Sequence, residues 1–280
     1  MPQGDSNDDE AEREQKPVAT NRLLRSRGKG LQIQIQDSKR QGPVELANKS
    51  DWKVPLSRLS EKQLSRKGKT LIVDRYKIKI TREKIECLFG TSWLNSEVIA
   101  FWLEWWREQI GAGSEGNMPA QNSTSKCYFS STYFYSKMME GGYNYKAIKR
   151  WTKAIDVFAL DMIVLPINET NSHWFLAVID FMQQRIEIYD SMGKAHSAVR
   201  ETLLRWLGDE HMSRKNSVMD QANWSRQQNH RARIPRQLNG SDCGVFMCLF
   251  AAYASLRRPF TFSQKDIPTV RRWMISIIAS

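Results

Sequence analysis

Over residues 1–50 apolar side chains follow no sustained period, and Gln, Asp, Arg, Ser and Asn dominate. A segment of this kind buries too little apolar surface to offset its conformational entropy. A disordered charged tail is therefore predicted for 1–50, followed by a folded domain over 51–280. The alternation LQIQIQ (31–36) is the exception and reads as a short strand. Further on, TLIVDRYKIKI (70–80) is strand-forming. TREKIECLF (81–89) reads as a short helix, with Thr81 as N-cap and Lys84 where a capping box wants Glu. Val98, Ile99, Trp102, Leu103, Trp105 and Trp106 recur at helical spacing within 91–111, and Gly111 is a natural stop. A loop is predicted over 111–125, a helix over 127–142 ending at Gly141–Gly142, and a second, basic helical segment over 143–155.

The centre of the chain is β-rich. DMIVLPI (161–167) is a continuous apolar run, as in a buried strand. HWFLAVID (173–180) and RIEIYD (185–190) are two further strands joined by the polar turn FMQQ. SAVRETLLRWLG (197–208) is an amphipathic helix, and 222–237 could hold an exposed basic strand. DCGVFMCLFAAYASLRR (242–258) is apolar nearly all round, which predicts a buried central helix. A last helix is expected to start near Pro268, an N1-type position. The resulting class is α+β: a central mixed sheet flanked by helices, with the 242–258 helix buried against it.

Composition narrows the picture. With 280 residues, 41% of them hydrophobic, the chain can bury a core of ordinary size as one large domain or two small ones. It has no run of 18 apolar residues, so no membrane span is expected, and its acidic start lacks the apolar stretch of a secretory signal. Cys87, Cys127, Cys243 and Cys248 are irregularly spaced, which points to reduced thiols and a nuclear or cytoplasmic setting. No cysteine or histidine pattern has zinc-ligand spacing, and neither metal nor cofactor is expected. The net charge of +12 is uneven: residues 1–20 carry −4, 21–50 carry +5 and 51–90 carry +6. A solvated basic face accounts for this, as does a patch for an acidic protein surface. No nucleic-acid-reading motif is present.

Candidate chemistry gathers at three places. The FMQQ turn sets a hairpin register that brings His173 almost opposite Asp190, where a carboxylate fixes the imidazole tautomer and stabilises the imidazolium. Cys243 lies where the loop RQLNGSDCG meets the buried helix, so partial positive charge and free N–H groups of a helix start face its sulfur. Gly240 and Gly244 allow close backbone approach there, and Gln237 is placed to donate to an oxyanion alongside those N–H groups. Cys87, Cys127 and Cys248 read as inert core thiols.

Histidine, aspartate, glutamine and cysteine in this chain order resemble the Ulp/SENP family of SUMO-specific cysteine proteases. The matching stretches are SWLN (92–95), YFYSKMMEGGYNYKAIKRW (133–151), LPIN (165–168), HWFLAVID (173–180), IEIYDSMG (186–193) and QLNGSDCG (237–244). The resemblance covers residues 75–280 and implies a papain-like fold of the Ulp type. It implies that His173 is the general base, Asp190 its orienting acid, Cys243 the nucleophile and Gln237 the oxyanion donor. It also implies that Trp93 and Trp174 close a tunnel over the substrate's C-terminal Gly-Gly, where only glycine fits a flat aromatic slot. The implied partner is a ubiquitin-like modifier, SUMO first, with its lysine-linked conjugates, handled by a monomer without membrane or nucleic acid. Two departures bear on the modifier's identity. Ser96 stands where the family carries an acid after WLN, and residues 209–236 are unusually basic (Arg214, Lys215, Arg226, Arg231, Arg233, Arg236), as an adapted contact surface would be. A protease for ubiquitin or another modifier, an acetyltransferase on the same constellation and an inactive binding module remain alternatives at this point.

Overall fold

The hairpin that opens the ordered chain folds the TLIVDRYKIKI run back on itself. In the computed structural model, which describes residues 71–114, 126–225 and 234–279, strands β1 (Leu71–Arg75) and β2 (Ile78–Thr81) pair antiparallel. Tyr76 and Lys77 turn the corner with φ of 58° and 60°, the left-handed geometry that a two-residue hairpin needs. The expected tail, the domain boundary near residue 50, the LQIQIQ strand and Arg226, Arg231 and Arg233 lie outside the described residues.

Thr81 caps α1 (Arg82–Ile85) as predicted, its Oγ1 accepting from the Lys84 N–H at 3.4 Å. Asn95 caps α2 (Ser96–Gln109) the same way, and Gly111 ends that segment at φ 64°. Five strands follow in spatial order: β3 (Gly113–Ser114), β4 (Cys127–Phe129), β5 (Met162–Glu169), β6 (His173–Asp180) and β7 (Arg185–Tyr189). The first three run parallel, and β6 and β7 are antiparallel to their neighbours, so the sheet is mixed as expected.

Residues 127–142 depart from the predicted helix. Cys127–Phe129 is a buried strand hydrogen-bonded to Met162–Val164, and only α3 (Phe134–Met139) is helical. Three apolar residues carry no period of their own, so pairing with β5, remote in sequence, decides their conformation. The basic segment after it forms one helical turn, α4 (Tyr145–Ile148), followed by turns.

Alternation along the strands sends side chains into two cores. Trp174, Leu176 and Val178 face one side with Met162 and Val164; Phe175, Ala177 and Ile179 face the other with Ile163, Leu165 and Ile167. Burial on both faces explains why β5 and β6 read as continuous apolar runs. The second face is covered by α3, α4 and α5 (Ser197–Lys215). Helix α5 runs seven residues past its predicted end at Gly208. Its buried Glu210 accepts from Tyr145 at 2.7 Å, Thr152 at 2.7 Å and Arg214 at 2.5 Å. Arg214, expected on a contact surface, is exposed while its guanidinium also holds the buried Glu210. The first face is covered by α2, by α6 (Cys243–Ser255), every residue of which is buried, and by α7 (Ile267–Ile278), which has proline in its first turn. No helix among the described residues is long and apolar enough to cross a membrane.

Candidate active site

The site forms where β6 starts, β7 ends and α6 begins. The β6–β7 register pairs Leu176 with Tyr189 and Asp180 with Arg185, the register expected from the FMQQ turn. Asp190 therefore leaves the sheet beside the first residue of β6. His173 Nε2 lies 2.8 Å from Asp190 Oδ1, and both side chains are buried. Cys243 is the second side chain, after Asp190, that acts on this imidazole.

Electrostatics follow from these contacts. Burial alone would lower the His173 pKa, but the hydrogen bonds to Asp190 and Cys243 outweigh it and raise the pKa from 6.5 to about 9. Burial alone would raise that of Asp190. Its donors His173, His196 and the Met192 N–H instead hold it well below the usual carboxylate range. The Met192 N–H donates to Oδ1 at 2.7 Å and the Lys194 N–H to Oδ2 at 3.1 Å, so the turn after β7 cradles the carboxylate. Gly193 in that turn has φ 86°, a left-handed geometry that favours glycine. The thiols of Cys87, Cys127 and Cys248 are pushed up by burial, as inert core cysteines would be.

Cys243 is the first residue of α6. A Cβ on the next residue, Gly244, would lie 3.0 Å from the Leu94 side chain, so glycine lets the helix start close against the segment carrying Trp93. Gly240 has open space instead, and no close approach requires it. The Trp93 Nε1–H donates to the Gly240 carbonyl at 2.7 Å, which ties that indole to the loop before the nucleophile. Trp93 is 54% exposed, whereas Trp174 is 6% exposed and packs in the same core cluster as Cys243. Trp93 is thus tied to the loop three residues before Cys243, and Trp174 follows His173 on β6.

Gln237 is held by contacts that its sequence motif does not reveal. Its Oε1 accepts from the Ser191 hydroxyl at 2.6 Å, and its Nε2–H donates to the Asn239 carbonyl at 2.5 Å. Behind the loop, Asp242 accepts from Asn239, Gln264 and Arg271. Burial alone would raise the Asp242 pKa, but these donors outweigh it and the net shift is downward. Ser191, His196 and Arg271 are absent from the sequence-predicted site. Arg271 left a signal, since it is a charged residue on the apolar face of a terminal helix. His196, Asp190 and His173 bring ligand-type atoms within 4.8 Å of one another, and each Asp190 oxygen faces a ring nitrogen at hydrogen-bond length.

A family model described as "Ulp1 protease family, C-terminal catalytic domain" matches residues 92–277. The chain belongs to the Ulp1 protease family. Its relatives include a sentrin-specific protease of Caenorhabditis elegans, 38% identical over 74% of this chain and 28% of that protein. Human sentrin-specific protease 2 is 37% identical over 73% of this chain and 33% of that protein. The chain therefore spans about a third of the length of these relatives or less. The solved C-terminal Ulp1 protease domain in complex with Smt3, the yeast ortholog of SUMO, covers 78% of this chain and 91% of its own, at 25% identity and a TM-score of 0.60. The α+β architecture expected from the sequence is the architecture of this Ulp1 neighbour.

Proposed function

We propose that the protein is a cysteine protease that cleaves after the C-terminal Gly-Gly of a ubiquitin-like modifier, SUMO before ubiquitin, in precursors or lysine-linked conjugates. The observation that carries this reading is the buried His173–Asp190 pair at 2.8 Å, with Cys243 the other side chain that acts on the same imidazole. An acetyltransferase could use the same three residues. The exposed Trp93, pinned to the nucleophile loop, favours a slot for an extended Gly-Gly tail. Membership in a family whose solved member holds a SUMO ortholog supports the modifier class.

In this reading the one proton shared by Cys243 and His173 sits on the imidazole while the sulfur attacks the carbonyl carbon of the terminal glycine. The developing oxyanion takes hydrogen bonds from the Cys243 backbone N–H and the Gln237 side-chain amide. His173 then protonates the departing lysine amine, and the acyl group stays on sulfur as a thioester. Water gives a proton to His173, attacks the thioester and releases the modifier's carboxyl group, which restores the thiol. No metal or cofactor takes part. Gln237 Nε2 rests on the Asn239 carbonyl in the free protein and re-aims when substrate arrives.

Two results are expected. First, kcat/KM falls as pH rises through about 9, because His173 then loses the proton it must deliver. The sign for folding is the same: a raised histidine pKa stabilises fully below its ordinary 6.5, and that contribution is lost as pH rises through about 9. A pH–rate profile with its alkaline limb near 7 would contradict the assignment. Second, Ser191→Ala frees the Gln237 amide and lowers kcat about tenfold, less than the ~10²–10³ cost of deleting an oxyanion donor outright. The double variant Ser191→Ala/Gln237→Ala is then no slower than Gln237→Ala alone, which a double-mutant cycle on kcat checks.

The modifier class is tested with fluorogenic C-terminal conjugates of SUMO and ubiquitin. Faster turnover of the SUMO conjugate is expected. Equal or faster turnover of the ubiquitin conjugate would move the chain to the second modifier class.

A further inference from the structure

We propose that His196 is a positioning residue of the catalytic relay: its Nε2–H, on Asp190 Oδ2, locks the carboxylate so that Oδ1 stays on His173. The inference rests on reading His173, Asp190 and Cys243 as the reacting groups. His196 Nε2 lies 2.8 Å from Asp190 Oδ2, matching the 2.8 Å of His173 Nε2 to Oδ1. A carboxylate held by one donor can turn about its terminal bond and exchange its oxygens. Here each oxygen has one imidazole and one backbone N–H: His173 and Met192 on Oδ1, His196 and Lys194 on Oδ2. Asp190 stays ionised and can only accept, so both Nε2 atoms must carry hydrogen.

The second imidazole is itself fixed. Its ring lies on Phe175 with centroids 3.8 Å apart and planes 13° from parallel. His173 lies 6.1 Å from the same Phe175, tilted by 26°, and 6.4 Å from His196, so the three rings cluster beside Asp190. The His196 side chain is 4% exposed. Its backbone is left-handed, φ 46° and ψ 45°, immediately before α5, an uncommon geometry for a non-glycine residue. Its Nδ1 lies 3.6 Å from Glu169 Oε1, and Lys194 Nζ lies 3.3 Å from Glu169 Oε2. Asp190, Glu169, Lys194 and His173 are thus the charged and titratable groups around it. A residue needed only to start a helix has no use for a buried hydrogen bond to the relay carboxylate.

The His196 N–H also draws charge from Asp190. Without it the carboxylate accepts more strongly from His173, which then keeps its proton to higher pH, while the freed carboxylate aligns His173 less well. The test compares the full chain with its His196→Ala and His196→Gln variants. Glutamine keeps an N–H donor within reach of Oδ2. Two readouts run against pH: kcat and KM on a fluorogenic SUMO conjugate, and iodoacetamide alkylation of Cys243 read by mass spectrometry, which needs no modifier. His196→Ala is expected to lower kcat about tenfold with KM unchanged, and to raise the alkaline limb by about half a pH unit. His196→Gln is expected to recover most of both.

Unchanged kcat and limb in His196→Ala would overturn the inference. So would a loss of kcat with an unmoved limb and no rescue by glutamine, the pattern of a helix-start defect. If the wild type turns over no modifier conjugate, the proposed substrate fails, and the alkylation limb alone then decides the role of His196.

Discussion

Cys243→Ala is expected to lower modifier cleavage by about 10⁴-fold or more, with KM nearly unchanged. The size follows from what the sulfur does. Without it no thioester forms, and neither the oxyanion N–H nor His173 has a nucleophile to serve. The structural cost is small. Cys243 is 2% exposed at the first position of an entirely buried helix, and alanine keeps its Cβ. Thermal stability should change by about 1 kcal/mol or less. The variant also removes one of the two hydrogen bonds that raise His173, so that imidazole should titrate below the value of about 9. An NMR titration of the His173 ring checks this apart from activity. By contrast, Cys87→Ala and Cys248→Ala leave turnover intact, since neither thiol touches the imidazole. Retention of activity in Cys243→Ala would remove the mechanism altogether.

Breaking the ion pair behind the nucleophile should have the largest effect on stability. Arg271 and Asp242 are 4% and 3% exposed at the side chain and meet at 2.5 Å. The same guanidinium donates to the Cys87 and Ser92 carbonyls, each at 2.8 Å. One side chain of α7 therefore ties down the residue before Cys243 and the segment leading into Trp93. Arg271→Met leaves a buried carboxylate without countercharge, and Asp242→Asn leaves a buried guanidinium. Each should cost about 3–5 kcal/mol, which is roughly 10 °C or more in Tm for a domain of this size. Arg271→Lys should not rescue, because one ammonium cannot reach a carboxylate and two separate carbonyls. Replacing both charges, as Arg271→Met with Asp242→Leu, should recover part of the loss. The pH sign is that of a lowered carboxylate: the stabilisation holds above the ordinary 3.8 and disappears as pH falls below it. Urea denaturation of the four variants checks this account, and single substitutions costing less than about 1 kcal/mol would contradict it.

The parts of the site legible in the sequence are those set by local pattern. The polar FMQQ turn fixes the β6–β7 register, and the register alone brings His173 to Asp190. The apolar run after Asp242 announces a buried helix with Cys243 at its start. What stayed hidden depends on tertiary contacts. Cys127–Phe129 becomes a strand because β5 pairs with it, and nothing within those three residues says so. Ser191 finds Gln237 across 46 residues, and Arg271 finds Asp242 across 29. His196 is only six residues from Asp190, yet its contact needs a left-handed backbone that the sequence around it does not signal.

The central claim is that Cys243 is the nucleophile for a modifier's C-terminal glycine. Its most direct test is a SUMO probe carrying a C-terminal electrophile, mixed with the wild type and with Cys243→Ala, followed by peptide mapping of the adduct. With four free cysteines present, mapping distinguishes the reacting thiol from the other three. The account predicts one adduct per chain, on Cys243, absent in Cys243→Ala and weaker or absent with a ubiquitin probe. An adduct that maps to Cys87, Cys127 or Cys248, or none with any modifier probe, would contradict it.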